Sequence, residues 1–175
     1  MPERASSLAR TRAVPDLSCR SCAALVQYHA WPDRYGEMTG ALATRCGIAN
    51  APAAGKAVSG AIGSLLRIHP QRLWLISEQT RDHPEIIPEI GVALDLSHAR
   101  TIIHVAEDIV VPLLSHFIAI DLRPHRFAID DVATTPLHRV SVALWRRADG
   151  IDILAPRSFA RSIWDVLAEA AERLR

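Results

Sequence analysis

Asp149-Gly150 lies between two apolar runs, Val140 to Arg146 and Ile151 to Ala155, and commits the C-terminal part of the chain to an antiparallel hairpin. Glycine supplies the positive φ of a tight turn, and two strands are marginal alone in water, so further sheet or a helix has to flank them. The next segment offers that cover. Ser158 is placed to cap a helix in which Phe159, Ile163, Val166, Leu167, Ala170 and Leu174 share a face. Arg173 and Arg175 fall at its C-terminal end, where positive charge is favoured.

Upstream, Val92, Leu94 and Leu96 alternate with Ala93, Asp95 and Ser97. Thr101 to Val105 is a β-branched run after the turn-like His98-Ala99-Arg100, which predicts two adjacent strands. Glu107 to His116 predicts a short helix with an acidic start, interrupted by Pro112. Leu25 to Trp31 predicts a strand. Pro32-Asp33 then predicts a helix start at which the Asp33 carboxylate accepts from first-turn amides. Tyr35, Met38, Leu42 and Cys46 follow at helical spacing, with Gly47 as the stop.

Ser64 to Ile68 and Leu73 to Ile76 predict a hairpin about His69-Pro70-Gln71-Arg72. Ala51-Pro52-Ala53-Ala54-Gly55 makes Asn50 to Gly63 a loop, and Pro84 and Pro88 break any helix between Thr80 and Ile90. Residues 1–17 lack an apolar period and are expected to form a flexible arm, with residues 18–175 as one domain. Helices that follow antiparallel strands pack on one face of the sheet. The expected class is therefore α+β, an antiparallel or mixed sheet with helices on one face, arranged as two split-βαβ-like units.

A chain of 175 residues that is 49% hydrophobic can hide roughly 70% of its unfolded surface. A formal net charge of +1 gives no broad basic field for nucleic acid or an anionic membrane. No apolar stretch approaches the ~20 residues that span a bilayer, and Met1 to Val14 lacks a secretory apolar run, so a cytoplasmic location is expected. Three cysteines, an odd number, fit a reducing compartment better than a disulfide framework.

Few residue patterns match a chemical template. Cys19-Arg20-Ser21-Cys22 has the spacing of half a structural zinc site, but completing it calls on Cys46 and a histidine such as His29, and the apolar stripe already explains Cys46 as a small buried hydrophobe. A thioredoxin-like dithiol would need a strand before the pair, and none is predicted. The eight histidines show no H-E-x-x-H spacing, Gly55-Lys56-Ala57 lacks the phosphate-loop hydroxyl, and no G-x-G-x-x-G or G-x-S-x-G occurs. Asp95, Ser97 and His98 are too close along one strand end to align as a triad, so they are read as finishing a strand and capping a turn. Asp130-Asp131 are consecutive and, in an extended segment, point to opposite faces.

Asp95-Leu96-Ser97-His98-Ala99-Arg100 leads into the strand Thr101 to Val105. Ile120-Asp121-Leu122-Arg123-Pro124-His125-Arg126-Phe127 follows, then Pro156-Arg157-Ser158-Phe159-Ala160-Arg161-Ser162-Ile163-Trp164. In order and spacing these three stretches resemble the gamma subunits of heterotetrameric sarcosine oxidases, and Leu73-Trp74-Leu75-Ile76 is similar to a further upstream feature. The chain departs from that pattern at Ala106-Glu107, where a Gly-Pro pair is typical, and near His116-Phe117, where a Gly-Cys step is typical.

The resemblance implies a cofactor-free subunit with no catalytic residue of its own, related to part of the glycine-cleavage aminomethyltransferase fold. It implies packing against the folate-binding half of an alpha subunit, in a complex with beta and delta chains that oxidatively demethylates sarcosine or a related secondary amine. FAD, FMN, NAD, tetrahydrofolate and zinc are expected in those partners. Arg100, Arg126, Arg157 and Arg161 are the candidate contacts, because a guanidinium fork suits a carboxylate of a partner chain or of a folate tail. The alternatives are a free-standing folate-binding or aminomethyl-transfer protein, and a small zinc-binding interaction module built on Cys19 and Cys22.

Overall fold

The computed structural model describes residue 8, residues 13–79 and residues 83–174. The strands are β1 (Leu17–Arg20), β2 (Ala24–Ala30), β3 (Ala57–Gly60), β4 (Gly63–His69), β5 (Arg72–Ser77), β6 (Gly91–Asp95), β7 (Arg100–Ala106), β8 (Val132–Leu137), β9 (Val140–Arg147) and β10 (Gly150–Pro156). The helices are α1 (Tyr35–Cys46), α2 (Glu107–Leu114) and α3 (Ala160–Arg173). The class is α+β, as expected, with two five-stranded antiparallel sheets in the orders β1-β7-β10-β9-β8 and β3-β4-β5-β2-β6. The described residues form two compact units, one from those within 1–20, 99–129 and 134–175, the other from those within 21–98 and 130–133.

The first unit is organised by the Asp-Gly hairpin. Ile153 of β10 sits opposite Ile103 of β7 on one side and Leu144 of β9 on the other. Gly150 has φ +146, and a Cβ there would lie 2.0 Å from the carbonyl oxygen of Val105, so any side chain would wedge the ladder apart. Ile103, Val105, Ile151, Ile153 and Leu154 are buried in β7 and β10, two interior strands where β-branched side chains fit a pleated surface. Helices α2 and α3 pack on each other and on β7, with Leu113, Leu114, Ile163, Trp164 and Leu167 buried.

In the second unit α1 covers one face of the other sheet. Met38, Leu42 and Cys46, spaced four apart, pack into a cluster with Val26, Tyr28, Leu65, Leu73 and Leu75. Gly47, at φ +69, ends the helix in the left-handed conformation, and its N–H reaches back to the carbonyls of Ala43 and Thr44.

Several expectations differ from the structure. Strands β6 and β7 follow each other in sequence but are not neighbours, since β6 pairs with β2 and β7 with β1 and β10. Asp33 does not cap α1: it takes φ +65, a left-handed conformation that Asp tolerates, and Arg34 occupies the cap position without a side-chain bond. Ser158 does not cap α3 either. A single 3-10 turn, Arg157–Phe159, leads into that helix, and its closing bond from the Ala160 N–H to the Arg157 carbonyl supplies a main-chain partner at the helix start.

Strand β3 lies inside the expected loop. Strand β8 is not among the expected strands; it contains Pro136, which an edge strand permits. Of the arm expected over residues 1–17, residues 1–7 and 9–12 lie outside the described residues; Val14 is buried and bridges to Leu17, which opens β1. Among the described residues, no helix is long and apolar enough to cross a membrane.

Candidate functional site

Charge buried inside the first sheet is the main departure from a plain apolar core. Asp152 lies in the middle of β10 at 1% exposure, opposite His104 of β7. An isolated buried carboxylate is expensive, so it must be paired and hydrogen-bonded. His104 Nδ1 is 2.7 Å from Asp152 Oδ1, Arg20 Nε is 3.2 Å from the same oxygen, and Arg147 Nη1 is 3.8 Å from Oδ2. Arg20 also donates to Asp149 at the hairpin turn, and its Nη2 is 3.2 Å from His104 Nε2. Arg147 stacks over the Trp145 ring at 4.3 Å.

Arginine can only donate, so His104 Nε2 accepts from Arg20 and Nδ1 carries the proton given to Asp152. The ring nitrogen that a general base would use is already occupied by a fixed cation. The network therefore holds β1 to the sheet and leaves His104 no lone pair for a substrate proton. Partial burial works against ionised Asp149, yet the hydrogen bond and charge of Arg20 outweigh it and hold the carboxyl below its usual range.

Arg146 is a second buried charge, at 2% exposure. Its Nε donates to the Phe127 carbonyl at 3.0 Å, Nη2 donates to the Leu122 carbonyl and Nη1 pairs with Glu107. One guanidinium thus fastens the loop after α2 to the sheet. Within that loop Arg123 binds Asp121 through Nε and Nη2, at 2.9 and 2.6 Å, and these hydrogen bonds hold the Asp121 carboxyl well below the usual range.

The four candidate arginines do not form one cluster. Arg100 opens β7 opposite Pro156, and the Arg157 N–H donates to the Ala99 carbonyl, so Arg100 and Arg157 share one end of the sheet. Burial pulls the Arg100 guanidinium below its usual range. Arg126 adjoins Phe127, held by Arg146 near the Ala106 end of β7, about 20 Å away at ~3.4 Å per residue. Arg161 lies exposed on α3 with both Asp165 oxygens 3.0–3.1 Å from its Nε.

Cys19 is exposed and belongs to β1, so a strand does run up to the C-x-x-C segment, contrary to expectation. Cys22 is half-buried. Cys46 is buried on α1, and burial pushes its thiol up to about 11. Among the described residues no three His, Cys, Asp or Glu side chains come together as a metal site. Asp95 and Ser97 finish a strand as expected: the Ser97 N–H donates to Asp95 Oδ1 at 2.8 Å, and Ser97 Oγ accepts from the Leu25 N–H at 2.9 Å. Asp130, at φ +66, is not extended, and Asp131 pairs with Lys56.

In the second unit a cleft of about 390 Å³ runs beside β6, lined by Trp31, His83, Glu85, Ile86, Pro88 and Gly91 to Ala93. Trp31 is fixed there by a 2.6 Å hydrogen bond from its indole N–H to the Pro88 carbonyl.

Arg20, His104, Arg146 and Asp152 were not singled out from the sequence. The available signal was a charge or imidazole inside a β-run that is otherwise apolar, which cannot be buried without partners.

No protein-family model matches the sequence, and no curated protein matches it. Among solved structures the chain is similar to a chain of the heterotetrameric sarcosine oxidase from Corynebacterium sp. U-96 in complex with pyrrole 2-carboxylate. The TM-score is 0.79 at 22% identity, and the match covers 97% of this chain and 95% of that one. The chain has the fold of a component of that enzyme, in agreement with the resemblance drawn from the three sequence stretches.

Proposed function

We propose that this chain is a gamma-type subunit of a heteromeric, flavin-dependent amine oxidase or dehydrogenase, and that it contributes structure while partner chains carry the chemistry. The observation that supports this best is the end-to-end fold match: nearly all of this chain corresponds to nearly all of one chain of a multi-subunit enzyme. The placement of charge agrees with it. The histidine nitrogen in the buried network is engaged by Arg20, and Arg146 spends its donors on main-chain carbonyls and Glu107.

On this reading alpha, beta and delta partners hold FAD, FMN, NAD, tetrahydrofolate and zinc in a cytoplasmic complex, and the reaction is oxidative demethylation of sarcosine or a related secondary amine. Arg100 and Arg157, together at one end of a sheet, are the stronger pair of candidate contacts to a partner carboxylate.

The test is purification of the chain from its native source, with mass spectrometry of what accompanies it and a flavin absorbance spectrum of each fraction. Expected is a colourless chain alone and a yellow complex with larger partners. A stable monomer that turns over an amine unaided would overturn the proposal, and tetrahydrofolate binding by the isolated chain would favour the free-standing folate-binding reading.

A further inference from the structure

Strand β6 ends the second sheet, with β2 on one side and, among the described residues, no strand on the other. The Trp31 N–H donates to the Ile90 carbonyl and the Leu96 N–H to the Leu25 carbonyl, which fixes the phase of the ladder between β2 and β6. In that phase Val92 and Leu94 bond to β2, while the main-chain N–H and C=O groups of Ala93 and Asp95 point outward. Unpaired outward groups are a template for another strand.

Side chains along this edge are apolar where a folded edge is normally blunted. Val92 is 43% exposed and Leu94 51%, and the cleft beside them has Trp31 and Ile86 in its wall. Within the described stretch 83–95 the formal charge has one sign. Residues 83–95 contain Glu85, Glu89 and Asp95 and no Lys or Arg, and all three carboxylates are exposed with no ion pair among the described residues. Hydrogen bonding from Ser97, helped by His98 and His83, keeps Asp95 ionised.

We infer that β6 is a docking edge for an extended, apolar segment of a partner protein carrying Lys or Arg, which adds as a sixth strand beside the cleft. Outward main-chain groups supply pairing, Val92, Leu94 and the cleft take alternate side chains, and the three carboxylates select a basic segment. The same charges disfavour a second copy of this chain, because two such edges would gather six carboxylates with no Lys or Arg from residues 83–95. The inference deepens the subunit reading by naming the surface and the chemistry of one contact.

Amide hydrogen exchange on the full chain tests it, with and without the capped peptide Lys-Val-Lys-Val-Lys-Val and its Glu-for-Lys counterpart as probes. Expected is at least tenfold slower exchange at Asp95 with the basic peptide and little change with the acidic one. Ala93→Pro should abolish the protection, because it removes an outward donor and no bond to β2; its unchanged melting temperature is the control. Equal protection by both peptides, no protection by either, or protection that survives Ala93→Pro overturns the inference. A heteromer that assembles normally around the Ala93→Pro chain would overturn it too while leaving the subunit reading intact, whereas protected Asp95 in a chain that joins no heteromer would do the reverse.

Discussion

The two sheets treat their edge strands in opposite ways. In the first, β1 is short and fastened: Arg20 at its end reaches Asp149, Asp152 and His104, so loosening the strand would expose a buried carboxylate network. In the second, β6 has, among the described residues, no strand paired to its outer side and carries exposed Val92 and Leu94 instead. A natural sheet that leaves an apolar edge without lysine, proline or a bulge forgoes the usual guards against association. The comparison teaches that buried charge in this protein closes a surface, while exposed apolar side chains leave one open.

The largest effect that would break the comparison is at Asp152. Replacing it by alanine leaves Arg20, Arg147 and His104 around a hole, and the expected loss is about 3–5 kcal/mol by chemical denaturation, with faster amide exchange along β1. A loss under about 1 kcal/mol would show that the network does not close that edge.

Arg146→Met comes next. It strands the carbonyls of Leu122 and Phe127, and about 2–3 kcal/mol should be lost, with new protease cleavage between residues 115 and 131. Cleavage spread evenly over the chain would argue against a local anchor.

A smaller effect is set by pH. The folded-state value of Asp149 lies below the ordinary 3.8, so its contribution is present above that value and is lost as pH falls through and below it. Arg20→Met should therefore give a flatter stability profile than the parent chain between about pH 5 and pH 2, measured by denaturant midpoints at each pH. Identical profiles would remove Asp149 from the latch.

The smallest effect sharpens the other half of the comparison: Leu94→Thr should change the stability of the chain alone by no more than about 0.5 kcal/mol while weakening any complex that covers β6.

Legibility followed how local each cause was. The Asp149-Gly150 hairpin was readable because the requirement for glycine and the flanking apolar runs lie within sixteen residues, Val140 to Ala155. The stripe of Met38, Leu42 and Cys46 was readable for the same reason. Strand β3 was not, since Ala57-Val58-Ser59-Gly60 has only one β-branched residue and is held by its partner, β4. The separation of β6 from β7 was invisible because adjacency in sequence usually means adjacency in a sheet, and here it does not.

The charged network was the least legible part. Its members, at positions 20, 104, 147, 149 and 152, each pass alone for an ordinary polar residue, and only the register of four strands, β1, β7, β10 and β9, brings them together. The candidate arginines show the converse: each suits a carboxylate by residue type alone, but no local signal told that Arg126 sits at the opposite end of β7 from Arg100.

The buried thiol of Cys46 carries a practical corollary. With its sulfur walled off between α1 and the sheet and its ionisation pushed up to about 11, an alkylating reagent at neutral pH meets almost no thiolate there. Exposed Cys19 and half-buried Cys22 should label first. The molecule thus holds an internal clock: the delay before the third label is incorporated measures how often α1 lifts from its sheet, with no engineered probe.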